Sequence, residues 1–398
     1  MIDPIVIVGA ARTPLGAFRG ALAGIPAPRL GAVAIAGALK SSELTATRID
    51  EVFMGCVLPA GLGQAPARQA ARFAGIPDAA MASTISKVCG SGMKAVMLAH
   101  DTLAAGSADW IIAGGMENMS NAPYLLAQAR AGYRYGHDRV FDHAALDGLE
   151  DAYEPGRSMG TFGEDTAAHY QFSRAAQDEY AVASLTRAQD ATASGTFAAE
   201  IVPVTLPLTL AGKSSETLFI ADEIPGKLNA AKIPGLKPAF RVDGTVTAAS
   251  SSANADGAAA LLLARQSNAT REGANIRAII RGHAGHAQAP AWFTTAPIFA
   301  IQKLLAKIGW AASEVDLWEI NEAFAVVTMA AIRDLALDPA KVNVNGGACA
   351  LGHPIGATGA RIIVTLLAAL EARGLRRGIA ALCIGGGEAT AIAIELPA

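Results

Sequence analysis

Cysteine is scarce in this chain: four residues in 398, Cys56, Cys89, Cys349 and Cys383. Their spacing fits neither a disulfide framework nor a CxxC zinc pattern. Reduced thiols, and with them a cytoplasmic protein, are the expectation. Charge is scarce as well, at 17% of residues, and balanced, with 32 Lys plus Arg against 35 Asp plus Glu and a formal net charge of -3. That leaves no global field for gripping nucleic acid, so an anionic ligand has to be held locally. No uncharged run approaches the roughly 18 apolar residues of a membrane helix. The opening MIDPIVIVGAARTP has an acid and a proline where an export signal has its basic region. Neither a membrane nor a nucleic-acid partner is expected.

What the chain has is apolar residues, at 52%, and 41 glycines, the composition of an enzyme with a large core and many tight turns. Its length exceeds one ordinary core, so two domain-sized units or one duplicated unit are expected. Short apolar runs ending in glycine alternate with stretches of helical period, which reads as α/β. Strands are expected at 4–10, 51–58, 109–116, 257–265, 276–284, 317–323, 342–348, 379–387 and 390–396. The later set repeats the earlier one. EVFMGCV parallels VDLWEIN, SGMKAV parallels TGARII and WIIAGGME parallels ALCIGGGE, at offsets of about 265, 267 and 271. Two similar halves related by a pseudo-twofold are therefore expected, with function where corresponding loops meet. Residues 120–248 differ in character. They hold the basic stretch RAGYRYGHDR, a helix from Arg174 to about Ser194 with Ser173 as N-cap and Gly195 as stop, and the Pro/Gly/Lys-rich PGKLNAAKIPGLKPAF. The division is a first half over 1–119, an inserted loop domain over 120–248, a return strand over 249–270 and a second half over 271–398.

Cys89 stands in SKVCGSGMKAV, where a polar segment meets Gly-Ser-Gly and an amphipathic helix follows. A helix N-terminus favours the thiolate, so this sulfur is either a nucleophile or an inert buried thiol. His353 lies in the glycine-dense NGGACALGHPIGATGAR, which precedes the repeat counterpart of the Cys89 helix. Pseudosymmetry brings the two loops together, and a cysteine beside a histidine is a nucleophile beside its base. Cys383 ends an apolar run just before three glycines, whose backbone can aim N–H groups at an oxyanion. In WEINEAFA, Asn321 is a helix cap or a site residue. The pair His283 and His286 has HxxH spacing, but on a strand the two point to opposite faces.

VCGSGMKA, GGMENMS, INEAFA, NGGACALGHPIGATG and CIGGG, in this order, resemble the thiolase family from about residue 4 to the C-terminus. The resemblance implies a duplicated five-layer α-β-α-β-α architecture with an inserted loop domain, and CoA thioesters as substrates with no metal or cofactor. It implies that Cys89 carries the acyl group, His353 takes its proton and Cys383 is acid and base at the α-carbon. His353 and a water on Asn321 would hold an enolate oxygen, while the N–H groups of Cys89 and Gly385 would hold a tetrahedral one. For CoA binding it points to Ser252, Ala248, Leu236, Met159, Leu149, Ala323 and Phe324. Basic residues in 225–241 face either the CoA phosphates or solvent, and Arg130, Arg134 and Arg139 face either CoA or another subunit. Three positions depart from the family pattern: Ser158 where histidine is frequent, Cys349 where an aliphatic residue is usual, and Glu388 after the glycines. The implied reaction is reversible condensation of two acetyl-CoA. The alternatives are a degradative 3-ketoacyl-CoA thiolase of broader chain length and a non-catalytic acyl-CoA or lipid-binding relative. A homodimer or homotetramer is implied as well.

Overall fold

The computed structural model describes residues 3–210 and 213–397. The chain enters through strand β1 (Ile5–Arg12), helix α1 (Ala27–Ser42), β2 (Glu51–Gly55), α2 (Pro66–Phe73), β3 (Met81–Ile85), α3 (Ser91–Ala104) and β4 (Trp110–Asn118). A long excursion follows, with helices α4 (Met159–Tyr170) and α5 (Arg174–Ala193) and a hairpin of Val204–Leu210 with Lys213–Phe219. The chain returns as β5 (Ala255–Arg265) and continues as β6 (Ala278–Ala287), α6 (Ala296–Ile308), β7 (Leu317–Ile320), α7 (Ala325–Asp334), the single turn α8 (Ala348–Leu351), α9 (Ile355–Arg373), β8 (Arg377–Ile384) and β9 (Glu388–Glu395). Ser173 caps α5 by accepting from the Ala176 N–H, and Gly195 beyond its end has φ 73°.

Strand order shows the duplication directly. The first half runs β3-β2-β4-β5-β1 and the second β7-β8-β9-β6, the same order without its outermost member. β2 is parallel to β4 as β7 is to β8, and the other neighbours from β4 to β1 and from β8 to β6 are antiparallel. The halves join through β1 and β6, where Ile5 faces Ile280 and Ile7 faces Ala278. The ladders correct one of the three repeat matches: Gly55 pairs with Gly115 and Glu319 with Ala380, so position 115 corresponds to 380 and not, as WIIAGGME against ALCIGGGE has it, to 386. The expected strand 342–348 does not form beyond one bridge between Val342 and Trp318. Asn343 is left-handed at φ 48°. Its side chain accepts from the Ile320 N–H and donates to the Ile320 carbonyl, both at 2.8 Å, which ends pairing after one residue. β3, with its half-exposed and polar side chains, carries too weak a pattern to be read from sequence.

Alternation along each strand produces the layers. Ala259, Leu261 and Leu263 of β5 face a central cluster with Met93 and Val96 of α3, Ile362 and Leu366 of α9, and Leu382 and Ile392 of the second half. Leu262 and its alternate neighbours face the opposite way, against Leu30 and Ile35 of α1 and Ala70 of α2. In the second half Trp318, Ile379 and Ala391 face Ile298 and Ile301 of α6 and Val327 of α7. The result is helices, sheet, helices, sheet, helices, with α3 and α9 as the shared middle. Among the described residues α9 alone is long and apolar enough to cross a membrane, and 89% of its apolar window is buried by protein. The uncharged-run criterion missed it because Arg361 interrupts the run, and that arginine is itself buried.

Candidate active site

The two middle helices, α3 and α9, pack together at their first turns, where a Cβ on Gly92 would stand 3.0 Å from the Gly356 carbonyl oxygen. Between β3 and α3, Val88 adopts φ 44°, a conformation that β-branched residues avoid and that marks local strain. Ser91 latches it: its hydroxyl donates to the Val88 carbonyl at 2.7 Å and accepts from the Lys87 N–H at 2.8 Å. Cys89 follows this kink, two residues before α3 begins. Lys87 forms an ion pair with Glu388, which lies just past the turn Gly385–Gly387. That turn needs its last two glycines, since Gly386 and Gly387 both have φ 94°. A Cβ on Gly385 would stand 3.4 Å from the Met159 sulfur and 3.8 Å from the Val88 side chain, so both lie close to this glycine.

Burial pushes the Cys89 thiol up to about 11, and only the N–H groups of Gly385 and of Cys89 itself pull it back. The helix-terminus argument alone favours a thiolate; in the folded chain desolvation outweighs it, so the resting sulfur is protonated and needs a base. Those two N–H groups are the pair expected to form an oxyanion hole. Cys383, at the end of β8, is buried and pushed well above the usual thiol range by desolvation, with the Cys89 sulfur nearby adding to the shift. The structure therefore brings both cysteines together.

His353 lies two residues before α9 and is buried. Desolvation, helped by the Arg361 charge, lowers it to about 3, so the ring is neutral across the working pH range. Its tautomer follows from its neighbours. The Thr358 hydroxyl donates to the Pro354 carbonyl at 3.0 Å, so it accepts from His353 Nδ1–H at 2.7 Å. Nε2 is then the bare nitrogen, 3.5 Å from Asn321 Nδ2. The Asn321 Oδ1 is buried with no protein partner, which suits a water held there. His353 and Asn321 thus meet at the start of α9 and the two cysteines near the start of α3, and these helix starts lie against each other.

Two buried carboxylates that the sequence left unassigned brace the segments around the site. Glu117 accepts from the N–H groups of Val57, Leu58 and Gly356 and from the Cys56 thiol, tying the end of β2 to the start of α9. Burial raises it to about 7 against those bonds. Cys56, one of the four scattered thiols, is buried and held by this acid. Glu322 accepts from Tyr180, Ser184, Asn343 and the Cys349 N–H, fixing the loop before His353 onto α5. Cys349 is buried on that cage, and desolvation drives its thiol far above the reactive range. Both acids were visible in the motifs as GGME and INE, but their bonding partners lie far away in sequence. Thr358 was missed because a hydroxyl in a glycine-rich stretch carries no signal of its own.

A cavity of about 240 Å³ opens beside His353. Of the residues expected to meet CoA, Leu149, Met159, Ser252 and Phe324 line it, together with Phe240, Asn254 and Ile355, which were not singled out. Ser158, the departure noted above, lines it too and caps α4. Ala323 lies behind the wall, its carbonyl accepting from the N–H and hydroxyl of Ser252. Ala248 is exposed, and Leu236 packs half-buried against the Ala181 and Leu185 cluster, so neither lines this cavity. Lys227 and Arg241 are held by Glu223 and Asp165 at 2.6 and 2.7 Å.

Residues 5–267 match the family model described as "Thiolase, N-terminal domain", and residues 274–396 match "Thiolase, C-terminal domain". The chain belongs to the thiolase family. Curated thiolase relatives align over nearly its whole length. Acetyl-CoA acetyltransferase 2 of Arabidopsis thaliana is 48% identical over 98% of this chain and 97% of its own length. Acetyl-CoA acetyltransferase of Escherichia coli K12 is 47% identical over 98% of each. Among solved structures, the Acat5 thiolase of Ascaris suum in complex with coenzyme A superposes with a TM-score of 0.92 at 40% identity, covering 99% of this chain and 100% of that one.

Proposed function

We propose that this chain joins two molecules of acetyl-CoA, reversibly, into acetoacetyl-CoA and CoA. The observation that carries the reading is a neutral His353 with a bare Nε2 lining one cavity, at the start of a helix packed against the one that follows Cys89, whose protonated sulfur lies near a second thiol, the buried Cys383. In the first step Cys89 passes its proton to His353 Nε2 as the sulfur attacks the thioester carbonyl. The tetrahedral oxygen rests on the N–H groups of Cys89 and Gly385. CoA leaves with the proton of Cys383, which becomes the thiolate. In the second step that thiolate removes a proton from the methyl group of the next acetyl-CoA. Protonated His353 and a water on Asn321 stabilise the enolate oxygen, and the carbanion attacks the acetyl group on Cys89. The released Cys89 thiolate regains its proton from His353, so one missing proton between two neighbouring sulfurs serves both steps.

The test separates the cysteines. Peptide mapping after incubation with acetyl-CoA is expected to place one acetyl group on Cys89; a label on Cys349 instead sinks the assignment. Cys383→Ala is expected to keep that acetylation, because CoA is a tolerable leaving thiolate, while condensation falls by ~10²- to 10⁴-fold. Near wild-type condensation in that variant overturns the role of Cys383. The wider context of this reading is a cytoplasmic homodimer or tetramer organised as the four segments divided at 119, 248 and 270. It draws on four free thiols and on the open edge of β3, the outermost strand of the sheet. Light scattering that returns a monomer removes the oligomer.

A further inference from the structure

The HxxH pair is split by the strand: His286 turns to Gln288 and Phe299. His283 instead meets two residues of α3, far away in sequence. Its Nε2 lies 2.8 Å from Asp101 Oδ1, and His100 Nδ1 lies 3.0 Å from the same oxygen. The two imidazoles pack edge to face with centroids 4.9 Å apart. All three donor atoms fall within 4.8 Å of one another.

We propose that His100, Asp101 and His283 form a binding site for one divalent transition-metal ion of the Zn²⁺ class, clamping α3 of the first half to β6 of the second. Two imidazole nitrogens and one carboxylate oxygen are borderline donors that favour Zn²⁺ or Co²⁺ over Mg²⁺ and Ca²⁺. Tetrahedral binding at metal–ligand distances near 2.1 Å asks for donors roughly 3.4 Å apart, so the 2.8 and 3.0 Å contacts open by about half an ångström while the two imidazole nitrogens, now within 4.8 Å of each other, draw in around the ion. Without metal each imidazole donates its N–H to Asp101. On binding, that proton moves to the other ring nitrogen, and both lone pairs and the carboxylate turn to the ion with no group left charged and unpaired. The imidazoles are mostly enclosed, at 20% and 10% exposure, while the aspartate at 55% leaves the fourth position to water. The facing cation, Lys307, is occupied by the His283 carbonyl at 3.1 Å. His100 lies nine residues along α3 from its first residue, about 13 Å from the cysteine end, so the ion has no place in the acyl chemistry. Its role is to tie the halves together.

Tag-free enzyme titrated with Zn²⁺ by calorimetry, and with Co²⁺ by visible absorption, tests this. One equivalent per chain is expected, with a tetrahedral Co²⁺ band and no sulfur-to-cobalt band, and Zn²⁺ raises the thermal midpoint. His283→Gln removes the equivalent; because that side chain is buried, Asp101→Asn at the exposed side provides the second variant. It is expected to lose the ion and the thermal shift while metal-free thiolysis stays at the wild-type rate. No bound equivalent, binding that survives both substitutions, or a sulfur-to-cobalt band overturns the site and leaves a hydrogen-bonded triad.

Discussion

At the scale of single residues, the reactive groups are set by partners more than by their own identity. A histidine serves as base to a thiol only if the nitrogen aimed at it is bare, and here Thr358 decides which nitrogen that is. Thr358→Val leaves the Nδ1–H buried without an acceptor, at a cost of ~1–3 kcal/mol, and frees the other tautomer. Condensation kcat is expected to fall at least about tenfold, with Thr358→Ser restoring it; an unchanged rate for the valine variant removes the positioning role. Glu117 contributes one component of the pH dependence of stability, beside Glu319, which burial raises to about 8, and His353, lowered to about 3, whose contribution has the opposite sign. The folded pKa of Glu117, about 7, lies above the ordinary value of 4.5, so the folded state holds this proton more tightly than the unfolded one. Stability contributed by that proton is full below pH 4.5 and is lost as pH climbs to about 7, by up to ~3 kcal/mol. Because the buried neutral His353 acts with the opposite sign below pH 6.5, the quantity to measure is the difference in denaturant midpoint between wild type and Glu117→Gln across pH 4.5 to 7.5. The variant lacks the Glu117 component, so the wild type is expected to lose ground to it as pH rises, and a constant difference contradicts this.

At the scale of elements, the crossing of α3 and α9 is what brings the Cys89 turn against the His353 loop. Gly92 and Gly359, repeat counterparts in SGMKAV and TGARII, are the contact. A Cβ on Gly92 would stand 2.9 Å from the Ala360 nitrogen, and one on Gly359 would overlap the Met93 backbone. Gly359→Ala is therefore expected to force the helices apart, destabilising by ~1–3 kcal/mol. Activity drops further than stability, because the shift displaces both reactive loops. Unfolding curves together with kcat check this, and a silent substitution removes the claim of close packing. The helices and most strands were legible from periodicity, caps and glycine stops. The strand expected at 342–348 was not, because Asn343 uses its side chain to terminate a ladder that β-propensity alone would have continued.

At the scale of the molecule, the cavity walls come from separate segments: Leu149 and Met159 from the excursion, Phe324 and His353 from the second half. Its enclosure favours short acyl groups, since a closed apolar pocket discriminates by ~1–3 kcal/mol per methylene. Thiolysis kcat/KM is expected to be higher for the C4 ketoacyl-CoA than for the C16; the reverse order supports a degradative thiolase. By itself the sequence determined the α/β class and the duplication and singled out the four candidate catalytic positions, because periodicity, repetition and glycine-rich motifs are local signals written in consecutive residues. Only the tertiary structure decided the charge state of Cys89, the tautomer of His353, the roles of Glu117 and Glu322 and the exclusion of Ala248 and Leu236 from the cavity. Each of these depends on burial and on partners supplied by distant segments, and desolvation and hydrogen bonding act through space with no trace in sequence spacing.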